Sequence, residues 1–338
     1  MDLHILWFIL IGVLFTGFFI LEGFDFGVGI LLPFLGKNDN ERRMIISSIG
    51  PFWDGNEVWL ITAAGAMFAA FPNWYAAMFS GFYPLMFFML VALILRGVAF
   101  EFRSLLAHAR WRRWWDKMIF IGSLLPSVIW GIMIANLIVG MPIDAKMNYV
   151  GDFWHLLNPF ALLCGAAFAL LFTLHGAIFL NLRVNGIVMK RALRAARWLW
   201  VPTFALILLV IGYGFLVSDI MRRIILDVKM VPLTNLLLAV LGIVLWQISK
   251  GRSGWAFAMT SLTIILAAVI TGLGMFPHVM VSSLNPAWSL TVAKAASSTY
   301  TLTVMSWLAL TLIPFVLLYQ AWNYWVFRKR IEPHAIGH

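Results

Sequence analysis

An all-α integral membrane protein is the fold class this sequence predicts. Of its 338 residues, 62% are hydrophobic and only 11% are charged; soluble domains carry about 25% charged residues. The apolar residues come in runs of roughly the 20 residues that a spanning helix needs. The short alternating segments of a closed barrel are absent, so the spans are helical.

About nine spans follow from run length, at roughly 5–32, 50–71, 75–102, 118–140, 158–181, 199–218, 231–249, 255–276 and 301–327. The first and third are long enough to tilt or to project beyond the bilayer. The first run reads as a retained helix, because acidic Asp2 stands where a cleaved leader has a basic segment. The long loop at 276–300 carries Asn285-Pro286 and Ser297-Ser298-Thr299, a loop signal. Leu21-Glu22-Gly23 in the first span is echoed by Leu174-His175-Gly176 in the fifth. The echo suggests two four-helix bundles, 1–140 and 141–276, followed by residues 277–338 with a loop, a ninth helix and a tail.

Charge orients the bundle. The formal net charge is +10, and 18 of the 24 Lys and Arg fall in the loops after spans 1, 3, 5 and 7 and in the tail. Five fall in the alternate loops, and Arg96 lies inside a span. The basic side faces the cytoplasm, so the N-terminus is expected outside and Arg328-Lys329-Arg330 inside. Basic residues spread in this way meet anionic lipid headgroups, which excludes nucleic acid as a partner. The single cysteine, Cys164, excludes an internal disulfide or a cysteine cluster.

Two acidic pairs interrupt the apolar runs, Glu22-x-x-Asp25 and Asp54-x-x-Glu57. An ionised carboxylate near the bilayer centre costs at least ~3 kcal/mol. At 1.5 Å per residue, Asp25, Asp54 and Arg96 each lie ~6–10 Å from the cytoplasmic ends of their helices, and Glu57 one turn deeper. The i,i+3 spacing puts both acids of a pair on one helix face. Like charges so close do not all ionise, so one should hold a proton near neutral pH. Arg96 is the counter-charge, and Glu101 sits at the rim. A proton relay is the functional reading; a buried ion-pair network that only fixes helix packing is the bland one.

Of the histidines His4, His108, His155, His175, His278, His334 and His338, only His175 is mid-span. A haem or metal site in a bundle needs a pair of ligands on facing helices, so none is assigned to this chain. Most of the 17 Trp sit near span ends as an aromatic belt. Trp53 and Trp59 instead bracket Asp54, either as packing residues or as an interface or path for an apolar gas. Gly23-x-x-x-Gly27 lacks a strand-turn-helix context and reads as close helix packing.

At Gly23-Phe24-Asp25-Phe26-Gly27, Gly50-Pro51-Phe52-Trp53-Asp54-Gly55-Asn56-Glu57 and Leu95-Arg96-Gly97-Val98-Ala99-Phe100-Glu101-Phe102-Arg103, the chain resembles subunit II of the cytochrome bd-type quinol oxidases, whose cyanide-insensitive branch is included. The resemblance runs through nearly the whole chain. It implies a multi-pass protein of the bacterial cytoplasmic membrane, in a complex that passes electrons from quinol to oxygen and makes water. It implies that the haems, b and d or b alone, lie in subunit I and that this chain binds no cofactor by itself. It implies a proton path through Asp54, Asp25 and Glu101, with Glu57 and Glu22 as neighbours. Trp59 matches a tryptophan at the mouth of a proposed oxygen channel. Some members hold a structural quinone, and some complexes have a small single-helix accessory subunit beside the membrane lipids.

Two other readings stand beside this one. A proton-coupled secondary transporter would also use midplane carboxylates, but here the acids lie only in the first half. A scaffold subunit would use the same helices without moving protons.

Overall fold

The computed structural model describes residues 2–332, and over them the chain is built almost wholly of helices. His334 and His338 lie outside the described residues. The first half comprises α1 (Leu3–Leu35), a short α2 (Asp39–Ile49), α3 (Trp53–Ala70), α4 (Pro72–Gly81), α5 (Tyr83–Phe102) and α6 (Ala109–Val139). Then come a one-turn α7 (Phe153–Leu156), α8 (Pro159–Arg183), α9 (Gly186–Val217), α10 (Asp219–Leu226), α11 (Val231–Ser249) and α12 (Ser253–Met275). A one-turn α13 (Val292–Ala295) and α14 (Thr299–Val326) close the chain.

Among the described residues, eight helices are long and apolar enough to cross a membrane: α1, α5, α6, α8, α9, α11, α12 and α14. The helix expected as the second span, α3, is not among them. Its 18 residues carry Asp54, Asn56 and Glu57 near the start, and these dilute its hydropathy. The expected third span, 75–102, is two helices in the structure. Phe82 separates α4 from α5 at φ −100°, ψ 13°, and Pro84 opens the first turn of α5. Proline has no N–H for the preceding turn, so the helix restarts there. Two helices begin well before their apolar runs, α6 at Ala109 and α9 at Gly186. Their early turns are rich in Arg and Lys, good helix formers that carry a helix past the apolar stretch. The segment after α12 is ordered as a two-stranded antiparallel pair, β1 (His278–Met280) with β2 (Leu290–Thr291).

Helix α1 is central. It packs on α3, α6 and α8 and also touches α12 and α14. Its contact with α8 is backbone on backbone: a Cβ on Gly27 would strike the Phe172 carbonyl, and one on Gly176 would lie 2.6 Å from the Val28 nitrogen. Small residues allow such crossings where lipid gives no hydrophobic drive. Buried apolar residues form two clusters, one around Phe18, Phe71, Trp130 and Met280, the other around Phe24, Leu32, Ile45 and Val244.

Basic segments gather at one end. Arg42 of α2 meets Asp116 of α6 at 2.7 Å, and Arg191 of α9 meets Glu41 at 2.6 Å. The tail joins them, with Arg183 Nη1 donating to the Lys329 carbonyl at 2.9 Å and the Ile331 N–H to the Arg183 carbonyl at 2.8 Å.

Candidate functional site

Residues 22 and 25 are about 60° apart around a helix, and both carboxyls of α1 point inward at 0% exposure. From α5, Arg96 pairs through Nη1 with Glu22 Oε1. It reaches this depth because α6 offers Gly122 at the contact: a Cβ there would lie 2.6 Å from the Ala92 carbonyl and from Arg96 Cβ. The guanidinium lies 4.9 Å from the Phe26 ring centre and 5.4 Å from that of Phe100. Rings so placed add a cation–π attraction where water is excluded. Glu22 Oε2, Asp25 Oδ1 and two of the Arg96 nitrogens have no hydrogen-bond partner among the described residues.

The second acidic pair is elsewhere. Asp54 and Glu57 share the face of α3 that looks toward α5. They line a groove of about 290 Å³ with Trp53, Val58, Leu90 and Gly97. Asp54 is exposed on the surface of this chain, and Glu57 is half-buried within coulombic range of Arg96. An acid in the first turn of a helix is favoured by the N-terminal dipole, and Asp54 stands there. The four acids thus divide into a sealed pair and an open pair. The reason is rotation: residue 56, not 54 or 57, faces α1, because it lies about 160° around the helix from residue 54.

Asn56 ties α3 and α14 to the sealed pair. It is 0% exposed. Its Nδ2 donates to Asp25 Oδ2 at 2.7 Å and reaches the Leu21 carbonyl at 3.4 Å. Its Oδ1 accepts from Tyr324 OH at 2.9 Å and from Gln320 Nε2 at 3.0 Å, both on α14. Sequence reasoning named Asp54 and passed over Asn56, although the same Trp-Asp-Gly-Asn stretch contains it. Gln320 and Tyr324 gave no local signal.

Glu101 is exposed at the end of α5. Beside it the sequence reading missed a charge network. Arg103, 2% exposed, binds Asp116 at 2.6 Å and Asp39 at 2.9 Å, and Asp39 also binds Arg43 and Arg112. Burial pushes the Asp39 carboxyl up, but the hydrogen bonds and charge of Arg103, with Arg43 and Arg112, outweigh it and hold the group below the usual carboxylate range. The network fastens α2 to the α5–α6 turn.

Trp53 packs on Phe100 with ring centres 5.1 Å apart. Trp59 lies against Gly17 of α1 and lines a second, apolar cavity of about 780 Å³ bounded by Phe8, Phe19, Trp130, Phe168 and Leu171.

A family model for cytochrome bd terminal oxidase subunit II matches residues 3–327. The chain belongs to that family. It is similar to the cytochrome bd ubiquinol oxidase subunit 2 of Bacillus subtilis (strain 168), 46% identical over 98% of this chain and 97% of the relative. It is also similar to the cytochrome bd-I ubiquinol oxidase subunit 2 of Escherichia coli (strain K12), 40% identical over 99% and 96%. The solved bd oxidase of Geobacillus thermodenitrificans shares the fold, with a TM-score of 0.74 at 19% identity over 97% of this chain and 100% of that one. The protein is therefore a subunit of a terminal oxidase, an oxidoreductase of the respiratory chain, and a multi-pass protein of the bacterial cytoplasmic membrane. The transporter reading gains no support.

A bd oxidase complex works with haems and quinol, and a subunit of it implies a catalytic partner subunit. His175 does not fit a haem. Its Nδ1 is 2.7 Å from Thr260 Oγ1 and its Nε2 is 3.2 Å from the Ile20 carbonyl. Its ring stacks on Phe257 with centres 4.5 Å apart. Both nitrogens are engaged, so neither has a free lone pair for iron. Among the described residues no three His, Cys, Asp or Glu gather as metal ligands.

Proposed function

We propose that this subunit carries no haem, docks on the haem-bearing subunit I and stabilises it, and supplies part of a proton path from the cytoplasm. The observation that carries the reading is the asymmetry of the two sealed acids. Arg96 pairs directly with Glu22, while Asp25 accepts from the Asn56 amide and, among the described residues, makes no direct ion pair, with Arg96 only within coulombic range. A buried carboxyl that no cation pairs directly is suited to carry and release a proton. Glu101 at the exposed end of α5 is the entry, and Asp54 with Glu57 is the exit. Because their groove opens on the side of the chain, the path leads sideways to the partner subunit and not across the membrane.

The basic loops at one end support an outside N-terminus and a cytoplasmic tail. The same reading divides the chain into bundles 1–140 and 141–276, with 277–338 added. Quinol oxidation then releases protons outside and oxygen reduction consumes protons from the cytoplasm, so a gradient forms without a pump through the whole protein. The apolar cavity beside Trp59 has the lining that oxygen or an isoprenoid quinone tail requires.

Asp54→Asn tests the path. An amide keeps shape and hydrogen bonding but cannot pass a proton. The variant complex should keep its haem content while quinol-driven oxygen consumption falls about tenfold or more. Full haem content with wild-type turnover would leave the subunit as a scaffold.

A further inference from the structure

We propose that α14 sets the orientation of the Asn56 amide and thereby fixes which oxygen of Asp25 carries the transferable proton. Tyr324 and Gln320 are the positioning residues. The inference rests on the reading of Asp25 as a proton carrier and deepens it.

A side-chain amide has two N–H donors on one side and two acceptor lone pairs on the other. At Asn56 all four are used: Asp25 Oδ2 and the Leu21 carbonyl on the nitrogen, Tyr324 and Gln320 on the oxygen. A flipped amide would turn its oxygen toward the Leu21 carbonyl. Tyr324 could rotate its hydroxyl and Gln320 its own amide to suit, but a backbone carbonyl only accepts. Two acceptors facing each other in a buried site lose a hydrogen bond outright. The observed orientation is the one that all four neighbours satisfy.

Asp25 inherits the consequence. Its Oδ2 receives an N–H and acts there as an acceptor, so a proton on Oδ2 would meet the amide hydrogen head-on. The proton belongs on Oδ1, which has no hydrogen-bond partner among the described residues. Flipping the amide would reverse the preference, with Asp25 Oδ2–H donating to Asn56 Oδ1. Asn56 is thus a two-position selector, and α14 holds it in one position.

The hold is local rather than a product of general packing. Along α14 only Leu302 is fully buried. Tyr324 is fixed by face-to-face stacking on Phe52, with centres 4.4 Å apart and planes 7° apart. The Arg183 guanidinium covers Phe52 at 5.2 Å and binds the Lys329 carbonyl just beyond α14. Asn323 Nδ2 donates to the Pro51 carbonyl at 3.1 Å. These contacts tie the last turns of α14 to the start of α3, where Asn56 lies.

The test is infrared difference spectroscopy on the intact oxidase complex in H2O and D2O, with haem content and oxygen consumption as companions. The protonated-carboxyl C=O band that Asp25→Asn removes is the Asp25 band; if that variant does not assemble, Asp25→Glu, which moves the band, makes the assignment. In Tyr324→Phe/Gln320→Leu the amide loses both donors. The Asp25 band should then shift, and turnover should fall about fivefold at unchanged haem content, the size of one uncompensated hydrogen bond. Tyr324→Phe alone keeps Gln320 and should show a smaller shift in the same direction. A band unchanged in the double variant overturns the inference, as does the absence of any carboxyl band assignable to Asp25. Wild-type turnover in Asp25→Asn would reject the proton-path reading instead, and the band position would still decide the amide orientation.

Discussion

At the crossing of α1 and α8, Glu22 and His175 each stand just before a glycine, and both are 0% exposed. Their surroundings differ. Glu22 sits in a charged site, with Arg96 from α5 and a second acid one turn on. His175 sits in a neutral one, between a threonine hydroxyl, a backbone carbonyl and an aromatic face. One helix of the crossing carries ionic chemistry and the other plain hydrogen bonding. Burial alone therefore does not make a site. What separates the two sites is the cation paired with Glu22, where His175 has only neutral partners that satisfy both ring nitrogens.

Breaking the ionic half should have the largest effect. Arg96→Met leaves Glu22 buried without its cation, which costs about 3–5 kcal/mol. The complex should assemble poorly or lose much of its thermal stability. Glu22→Gln added to Arg96→Met removes the orphaned charge, so the double variant should recover most of that loss. A single variant as stable as wild type would erase the distinction between the halves.

The crossing of α1 and α8 comes next. Gly27→Ala drives a methyl into the Phe172 carbonyl, and backbone cannot move aside like a flexible side chain. A loss of about 3 kcal/mol is expected in thermal unfolding. Gly212→Ala, where nothing lies within 4 Å, is the control and should change stability little.

Changing the neutral half should do less. His175→Leu leaves the Thr260 hydroxyl its backbone partners, Phe257 at 2.9 Å and Ala256 at 3.2 Å. About 1 kcal/mol of stability should be lost, with turnover preserved. Slowed oxygen consumption at full haem content would place His175 with the acids.

The smallest effect sharpens the same comparison at the rim. Asp39 is held below its usual range in the folded protein. Such a carboxyl contributes stability that is present above its unfolded value, about 3.9, and is lost as pH falls through the lower folded value. Asp39→Asn should therefore be less stable than wild type at about pH 6, and the gap should close as pH falls from about 4 through the lower folded value. A gap that persists in acid would mean that Asp39 acts through packing and not through its charge.

Some of this was written in the chain, and some was not. Run length and composition determined an all-α membrane protein, because exclusion of water from lipid leaves the backbone few ways to satisfy itself. The cost of a charge in an apolar span likewise picked out Glu22, Asp25, Asp54, Glu57 and Arg96 from the sequence alone. The break at Phe82 and the long lead-ins of α6 and α9 were less visible, because run length does not register helix boundaries. Tertiary structure decided how the acids are shared out. Which face of α3 meets α1 depends on how those helices are rotated against each other, and that rotation turns Asn56 inward and Asp54 outward. It also decided the partners of Asn56, since Gln320 and Tyr324 are 264 and 268 positions away along the chain. A hydrogen bond acts over about 3 Å, so residues that far apart in sequence become one site only when the helices pack.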